Sequence, residues 1–266
     1  MKKVLSILLS AVLLIGMLLI SGCAKQTSAD VDYIKEKGTL VVGVIDAPPL
    51  TSLNEEGEWA GFAVDLAKDF GKQLGVEVVF KEIEWAEMEH LLNDKTIDCV
   101  ASALTLTADR RAVMECTKAY LNNSQIVVTK AERARRYTSA EDCLRLKFAV
   151  LDGSTHEELA KENGFIILAK DTTEEVLAAV SDGTADAAIV NSIFATTAIG
   201  KDNQFPDLAR AFRLKSNRMG FAFRKGSQLA EQMNRYFLTT YTSGKMKKMA
   251  QPYSIEKLLV EQVTEQ

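Results

Sequence analysis

The residues best suited to bind a ligand come shortly after a hydrophobic segment that ends near residue 102. Thr107 can cap a helix that begins at the next residue, and Arg110 falls one turn into that helix. A hydroxyl, free backbone N–H groups and a guanidinium together form a carboxylate site. The same spacing also allows Arg110 to pair with a surface acid such as Glu115, and the sequence alone does not decide between the two.

Two later loops carry similar groups. Ser154 and Thr155 follow Asp152-Gly153 and offer two hydroxyls and backbone N–H groups, although a plain helix cap would have the same sequence. Asn191 follows another hydrophobic segment, and it could hydrogen-bond a ligand or cap the next helix. In open α/β sheets, ligands bind beyond the carboxyl ends of the strands, so these loops are expected to lie near one another.

The elements that would position these loops alternate between strand and helix. In the first half, β-branched runs predict strands over 39–45, 76–83 and 97–102, and helical spacing predicts helices over 61–74 and 85–93. The pattern then restarts, with predicted strands over 125–129, 147–151, 165–169, 185–190 and 219–224, and helices over 155–163, 173–181 and from 227 onward. This alternation predicts an α/β fold with two units. We expect the second unit to be inserted into the first, with strand crossovers near 128–130 and 218–220 as the hinge.

The first residues are predicted to be a secretory signal sequence. Met1-Lys2-Lys3 is basic, residues 4–20 form an uncharged stretch of 17 residues, and Ser21-Gly22-Cys23 follows. A transmembrane anchor is the alternative, although 17 residues are at the lower limit for spanning a bilayer. The string resembles a lipobox, which implies removal of residues 1–22, lipidation of Cys23 and anchoring of the remaining chain to the membrane. Residues 23–37 would form a tether and a first helix.

Composition excludes several classes of function. The chain has 266 residues, 32 basic and 36 acidic, and a formal net charge of −4, which argues against binding to nucleic acid. With two His and four Cys in no zinc-ligand spacing, no metal or cofactor is expected. Cys99, Cys116 and Cys143 are interpreted as small buried side chains, and a disulfide between any two of them is left open.

The order of sequence blocks resembles the family 3 extracellular solute-binding proteins, the amino-acid receptors of ABC importers. The blocks are GTLVVGV, GFAVDLAKDFGKQLGVEVVF, EWAEMEHLLNDKTID, ALTLTADRR, GSTHEELA, GTADAAIVNS and MGFAFRKGS. The resemblance covers roughly residues 38–244 and implies two Rossmann-like lobes joined by a two-strand hinge, a type II periplasmic-binding-protein-like fold. The expected division is 38–128 for the first part of lobe 1, 129–218 for lobe 2 and 219–262 for the return to lobe 1.

The resemblance also implies roles for individual residues. Arg110 would hold the ligand α-carboxylate. Thr105 and the backbone around Ser102 and Ala103 would assist from lobe 1, and Trp85 would lie near the cleft. From lobe 2, the expected contacts are Ser154 and Thr155.

One departure from the family pattern bears on the ligand. The family's ammonium-binding Asp falls on Asn191, which can accept a hydrogen bond but carries no charge. Asp46 or Asp152 could replace that charge. The ligand is therefore expected to be either a small carboxylate without a free α-amine or an amino acid that binds differently from those of other family members.

The leading hypothesis is a monomeric lipid-anchored receptor that delivers a small carboxylate or amino acid to an ABC permease. A ligand sensor without transport is compatible with the same residues. The alternative is a cyclohexadienyl-dehydratase-like enzyme, for which Glu84, Glu87, His90 and His156 are the available acids. Surface helix positions would explain all four, so no catalytic residue is expected.

Overall fold

The computed structural model describes residues 29–263. The predicted signal sequence and the predicted lipidation site at Cys23 lie outside these residues. The elements of the first half are α1 Ala29–Lys37, β1 Thr39–Val44, β2 Ser52–Leu53, β3 Trp59–Ala60, α2 Phe62–Leu74, β4 Glu77–Glu82, a 3-10 turn Trp85–Glu87, α3 Met88–Asn93, β5 Cys99–Val100, α4 Ala108–Val113, β6 Met114–Cys116 and β7 Leu121–Lys130.

The second half has the same alternation. It comprises 3-10 turns Ala134–Arg136 and Glu141–Cys143, then β8 Lys147–Leu151, α5 Thr155–Glu162, β9 Ile166–Lys170, α6 Thr173–Ser181, β10 Ala187–Asn191, α7 Ser192–Ala198, β11 Leu208–Met219, β12 Ala222–Arg224, α8 Leu229–Thr242, α9 Lys245–Ala250 and 3-10 turns Gln251–Tyr253 and Glu256–Leu258. None of the helices among residues 29–263 is both long and apolar enough to cross a bilayer.

The strands form two five-stranded sheets and one small two-stranded ribbon. The first sheet has the order β4-β1-β5-β12-β6, with β4, β1 and β5 parallel and β12 antiparallel to its neighbours. The second has the order β11-β7-β10-β8-β9, with β10, β8 and β9 parallel. Because β12 returns to the first sheet, the second unit is inserted into the first, as the sequence predicts.

Two short connections join the sheets, at residues 117–120 and 220–221. The first lies before the crossing predicted near 128–130, because β7 extends back to Leu121 inside the second sheet; the second lies close to the predicted 218–220. Each connection carries a buried aromatic residue, and the rings of Tyr120 and Phe221 pack edge-to-face at 5.5 Å. The lobe boundaries at 128 and 218 remain predictions about which parts move together.

Local sequence explains the ends of the helix that packs on the first sheet. Helix α2 buries one face, including Phe62, Leu66 and Phe70. Gly75 ends it in the left-handed conformation, at φ 77°, which favours glycine. Gly61 precedes it at φ 123°, where an added Cβ would lie 2.4 Å from the carbonyl oxygen of Leu50. No other residue type fits at position 61 without moving the backbone.

Candidate functional site: a cleft between the two sheets

A small cavity, the inner chamber, lies between the sheets at the carboxyl ends of their parallel strands. Its volume is about 20 Å³, which is room for a single water molecule. Its lining comes from the segments after β1, β4 and β5 on one side and after β8 and β10 on the other, with additions from α4 and α6: Ile45, Ala47, Pro48, Trp85, Ala103, Arg110, Leu151, Ser154, Thr155, His156, Thr173, Asn191, Ile193 and Phe194. The loops therefore converge as expected for an open α/β sheet.

Arg110 contributes a buried positive charge to the chamber. Thr107 caps α4, its hydroxyl accepting a hydrogen bond from the Arg110 backbone N–H at 3.2 Å. Arg110 Nη1 donates to the Thr105 carbonyl at 3.0 Å, and the guanidinium lies 5.0 Å from the Trp85 ring centroid, a cation–π distance. These contacts hold the side chain in the chamber, with only 6% of the residue exposed.

No Asp or Glu of residues 29–263 forms a salt bridge with Arg110. The alternative that it pairs with Glu115 is wrong, because Glu115 instead accepts a hydrogen bond from the Gly226 backbone N–H. Burial lowers the pKa of Arg110, but an arginine remains protonated at neutral pH. A buried cation without a partner favours an anion entering the chamber. Helix α4 has six residues, so the guanidinium supplies most of this attraction.

Two of the residues that the resemblance implies support the chamber from outside its lining. The Ser102 hydroxyl is buried and shares a hydrogen bond with the Thr51 hydroxyl at 2.5 Å. The Thr105 hydroxyl accepts from Asn217 Nδ2 at 2.9 Å, while its carbonyl orients Arg110. Ala103 does line the chamber. Their ligand-binding roles remain predictions.

From the other side, Ser154 and Thr155 line the chamber, but their hydroxyls already have partners. Ser154 Oγ caps α5, accepting from the His156 backbone N–H at 3.1 Å and donating to the Leu151 carbonyl at 2.6 Å. Thr155 Oγ1 accepts from Gln125 Nε2 at 2.9 Å. The helix-cap interpretation is therefore confirmed, and the loop also faces the chamber, whereas ligand binding by Ser154 and Thr155 remains a prediction.

Asn191 ends β10 and directly precedes α7, and its side chain makes no capping hydrogen bond within the described chain. Its Oδ1 instead accepts from Asn123 Nδ2 at 2.6 Å. The same nitrogen is 2.9 Å from Asn217 Oδ1, and Asn217 bonds Thr105. This chain of amides runs across the paired strands β7 and β11, and it links Asn191 in one side of the cleft to the Arg110 support in the other.

His156 is the chamber residue that sequence reasoning placed wrongly. It was expected on the surface, whereas only 5% of it is exposed and it lies in the chamber. Burial lowers its pKa to about 4, the positive charge of Arg110 acts in the same direction, and a hydrogen bond to Asn191 opposes them. The imidazole is therefore neutral at pH 7. Helical spacing could have signalled this position, because Leu159 and Ala160 lie on the same buried face of α5.

A larger cavity, the outer vestibule, continues from the chamber and shares Ile45, Trp85, Leu151 and Thr173 with it. Its volume is about 450 Å³. Six carboxylates and no basic side chain of the described residues line it: Asp46, Glu82, Glu84, Glu87, Asp152 and Asp171. The pKa of Asp46 is raised by burial and by the negative charges of Glu174 and Glu82. Asp46 and Asp152 are thus placed at this entrance rather than in the chamber lining.

Glu84, Glu87 and His90, the other proposed acids, are exposed. Cys99, Cys116 and Cys143 are free thiols in the structure, two of them buried. The Gly153 backbone crosses close to Ala86 on the opposite side of the cleft, since a Cβ at 153 would lie 3.2 Å from the Ala86 backbone nitrogen. The two sides of the cleft are therefore in contact at its entrance.

Comparison with known proteins defines the class to which this cleft belongs. Residues 40–256 match the bacterial extracellular solute-binding proteins, family 3. Because the match spans most of the chain, the chain belongs to this family. The resemblance noted in the sequence, and the two-lobed fold that it implies, are thereby confirmed.

Individual relatives agree with this assignment. The chain is 28% identical over 218 residues to the L-cystine-binding protein TcyJ of Escherichia coli strain K12, covering 79% of this chain and 81% of the relative. The crystal structure of a mutant of ArgBP from T. maritima superposes with a TM-score of 0.78 at 29% identity, covering 85% of this chain and 99% of that one. The ancestral amino acid-binding protein AncCDT-1, a precursor of cyclohexadienyl dehydratase, gives 0.77 at 28% identity and covers 84% and 98%.

Proposed function

We propose that this protein is a lipid-anchored, extracytoplasmic receptor of an ABC importer that binds an amino acid with a cationic side chain. The observation that carries the proposal is Arg110, a buried cation in the cleft with no salt-bridge partner among residues 29–263. A ligand carboxylate would supply the missing negative charge. Relatives named for binding cystine and arginine support an amino-acid ligand.

The acidic vestibule supports the cationic side chain. A ligand whose carboxylate meets Arg110 in the small chamber would extend its side chain toward the six vestibule carboxylates. A positive charge there gains electrostatic energy, whereas an acidic side chain would be repelled. We therefore expect arginine or lysine to bind more tightly than glutamate or aspartate.

The mechanism follows from the division of the chamber between the lobes. Each lobe contributes part of the lining, so a ligand makes all of its contacts only when the lobes are closed. The ligand then shifts the population toward the closed state by its higher affinity for that state. The chamber of about 20 Å³ is too small to admit an amino acid without separation of the lobes. The permease would recognise the closed shape.

The experiment is calorimetry and thermal shift of the purified full chain with the twenty amino acids, keto acids and dicarboxylates. Arg110→Ala is expected to weaken binding at least about thirtyfold, because a buried charge pair is lost. Without ligand the variant should remain folded and lose at most about 3 kcal/mol, because it loses the Thr105 and Trp85 contacts but also an unpaired buried charge. Arg111→Ala is the matched control on the same helix, since Arg111 is exposed and donates to the Thr117 carbonyl. If Arg110→Ala retains the wild-type affinity, the carboxylate assignment is wrong.

An enzyme on this scaffold is the second candidate, favoured by the buried His156 and by the dehydratase lineage of AncCDT-1. Dehydration needs a positioned general acid. His156, with its pKa at about 4, carries no acidic imidazolium proton at pH 7. We therefore expect no turnover of prephenate or arogenate by the full chain. Turnover that His156→Gln abolishes would establish the enzyme instead.

The lipid anchor is proposed from the lipobox-like string that ends at Cys23. Cys23→Ser should move the protein from the membrane fraction to the soluble fraction and prevent labelling with an alkyne fatty acid. A wild-type chain that takes up no fatty acid would refute the anchor without affecting the binding proposal.

A further inference from the structure

His156 has a buried ring nitrogen that makes no hydrogen bond with any of residues 29–263. The side chain lies on α5 in the chamber lining, and only 5% of the residue is exposed. Its Nε2 has no hydrogen-bond partner in the described part of the chain. Buried polar atoms are nearly always paired, so an unpaired one inside a ligand cleft indicates a partner supplied by the ligand.

Two neighbours affect the protonation of the His156 ring, and protonation determines whether Nε2 donates or accepts. Arg110 on α4 is a positive charge facing the ring, and it disfavours the doubly protonated imidazolium. The Asn191 side chain on β10 is the hydrogen-bond partner that favours a proton on the imidazole. A neutral imidazole carries its proton on one of its two nitrogens, and with that proton on Nδ1 the unpaired Nε2 is an acceptor. The Nε2 lone pair is then free to accept a hydrogen bond.

We propose that His156 Nε2 accepts a hydrogen bond from the α-ammonium of the ligand, and so takes over part of the task of the carboxylate that Asn191 does not provide. The proposal rests on the proposed function. Asn191 is poorly placed for this task by itself, since its Oδ1 already accepts the 2.6 Å bond from Asn123. The site would then recognise the amino group by a neutral acceptor, with Arg110 as the only charged side chain that residues 29–263 contribute to the chamber lining.

The test separates recognition of the amino group from recognition of the rest of the ligand. Calorimetry at pH 7 measures the Kd of the full chain for L-arginine and for 5-guanidinopentanoate, which lacks only the α-amine. The wild type should prefer arginine by about tenfold or more, because a hydrogen bond to a charged group is lost with the amine. His156→Phe should reduce that ratio about tenfold, whereas Arg111→Ala, at an exposed position of α4, should leave the ratio at its wild-type value. If another amino acid is the better ligand, its own des-amino analogue is used.

Two further measurements cover the case in which the Phe variant does not fold. His156→Gln retains an acceptor and should keep part of the preference. In the wild type, nitrogen NMR measures the chemical shifts of the ring nitrogens of the chain's two histidines. The exposed His90 is the internal control. Arginine should shift His156 Nε2 from the value of a free lone pair toward that of a hydrogen-bonded one, and leave His90 unchanged.

The outcomes are distinguishable. If no amino acid binds the wild type, the proposed function fails, and this inference fails with it. If arginine binds and His156→Phe keeps the wild-type preference for the amine, only the role of His156 is refuted. Where the Phe variant does not fold, the same result with His156→Gln refutes that role. A His156 Nε2 that is protonated in the free protein would also refute it.

Discussion

Asn191 and Arg110 line one chamber, but only Arg110 carries a charge. The amide of Asn191 is held by Asn123, and the imidazole of His156 lies beside it. On the proposed binding mode, the anionic end of a ligand would meet a full positive charge, while an ammonium in the chamber would meet neutral acceptors among residues 29–263. This asymmetry predicts that affinity for α-amino acids is below what the cleft could achieve.

Asn191→Asp restores a charge at the amine side and should strengthen binding of α-amino acids about tenfold or more. An Asp keeps an oxygen in place to accept the Asn123 hydrogen bond, so the fold should tolerate the change. Calorimetry with arginine measures the gain, and 5-guanidinopentanoate, which has no amine, should show none. The ammonium argument fails if none of the twenty amino acids binds more tightly to the variant.

Burial of His156 makes stability depend on pH. Its folded-state pKa of about 4 is below the unfolded value of about 6.5, so the unfolded chain binds more protons between these values. The free energy of unfolding should therefore fall as the pH decreases from 6.5 to 4. Above that window His156 imposes no penalty, and below it the loss is about 3 kcal/mol. Urea titrations without ligand should show this loss in the wild type but not in His156→Gln. Parallel profiles for the two proteins would contradict it.

For individual residues, the sequence predicted which polar groups lie at the chamber better than it predicted which groups they contact. Arg110 and Asn191 could be singled out by type and by their position after a strand. The bonds of Ser102 with Thr51 and of Thr105 with Asn217 could not, because they join residues 51 and 112 positions apart. His156 was missed although it shares a helical face with Leu159 and Ala160, because α5 has only eight residues and these two are its only apolar ones.

Among the elements, α1 is held on the first sheet by buried charges in addition to the buried apolar residues Val31 and Ile34. Asp98 is fully buried and bonds Lys37 at 2.5 Å, the Val41 backbone N–H at 2.8 Å and Arg224 at 3.1 Å. Asp30 completes the group through a 2.6 Å bond from Arg224 and a bond from the Ser227 hydroxyl. The network joins the start of the described chain to the returning strand β12.

Asp98→Ala should destabilise the protein by about 3–5 kcal/mol, because it leaves Lys37 and part of Arg224 without a charge partner in a buried setting. Urea denaturation measures the change. Asp202→Ala is the control, since Asp202 is exposed in a loop and its removal should cost less than about 0.5 kcal/mol. Equal stabilities for the two variants would show that the network contributes little.

Element type was largely predictable, whereas element length was not. The strand over 147–151 and the helix over 173–181 agree with β8 and α6. The strand predicted over 97–102 shrinks to Cys99–Val100, because the chain leaves the sheet at Ala101 so that Ala103 reaches the chamber. The helix predicted over 85–93 begins as a 3-10 turn that places Trp85 against Arg110. Both departures occur where the cleft is built, which local propensity does not encode.

For the whole molecule, closure of the cleft depends on how closely the two lobes can approach each other at the cleft entrance. The carboxyl ends of two independent sheets form the chamber, and the connections at 117–120 and 220–221 pack their aromatic residues together in the core next to the first sheet. Relative rotation of the lobes would then be set by these short segments and by the amide chain through Asn123 and Asn217. If the lobes rotate in this way, contacts across the entrance such as that of Gly153 with Ala86 would limit the final angle.

Gly153 makes one of these contacts, and it provides a test of whether closure controls affinity. It adopts φ +60°, and a Cβ there would lie 3.2 Å from the Ala86 backbone nitrogen in the opposite lobe. Gly164 has a similar φ of +70° with no atom within 4 Å of an added Cβ. Both Gly→Ala changes should cost about 1 kcal/mol of stability through the left-handed backbone. Only Gly153→Ala should also obstruct closure, and thus weaken arginine binding about fivefold or more in calorimetry. Equal affinities for the two variants would mean that the lobes need not approach this closely to hold the ligand.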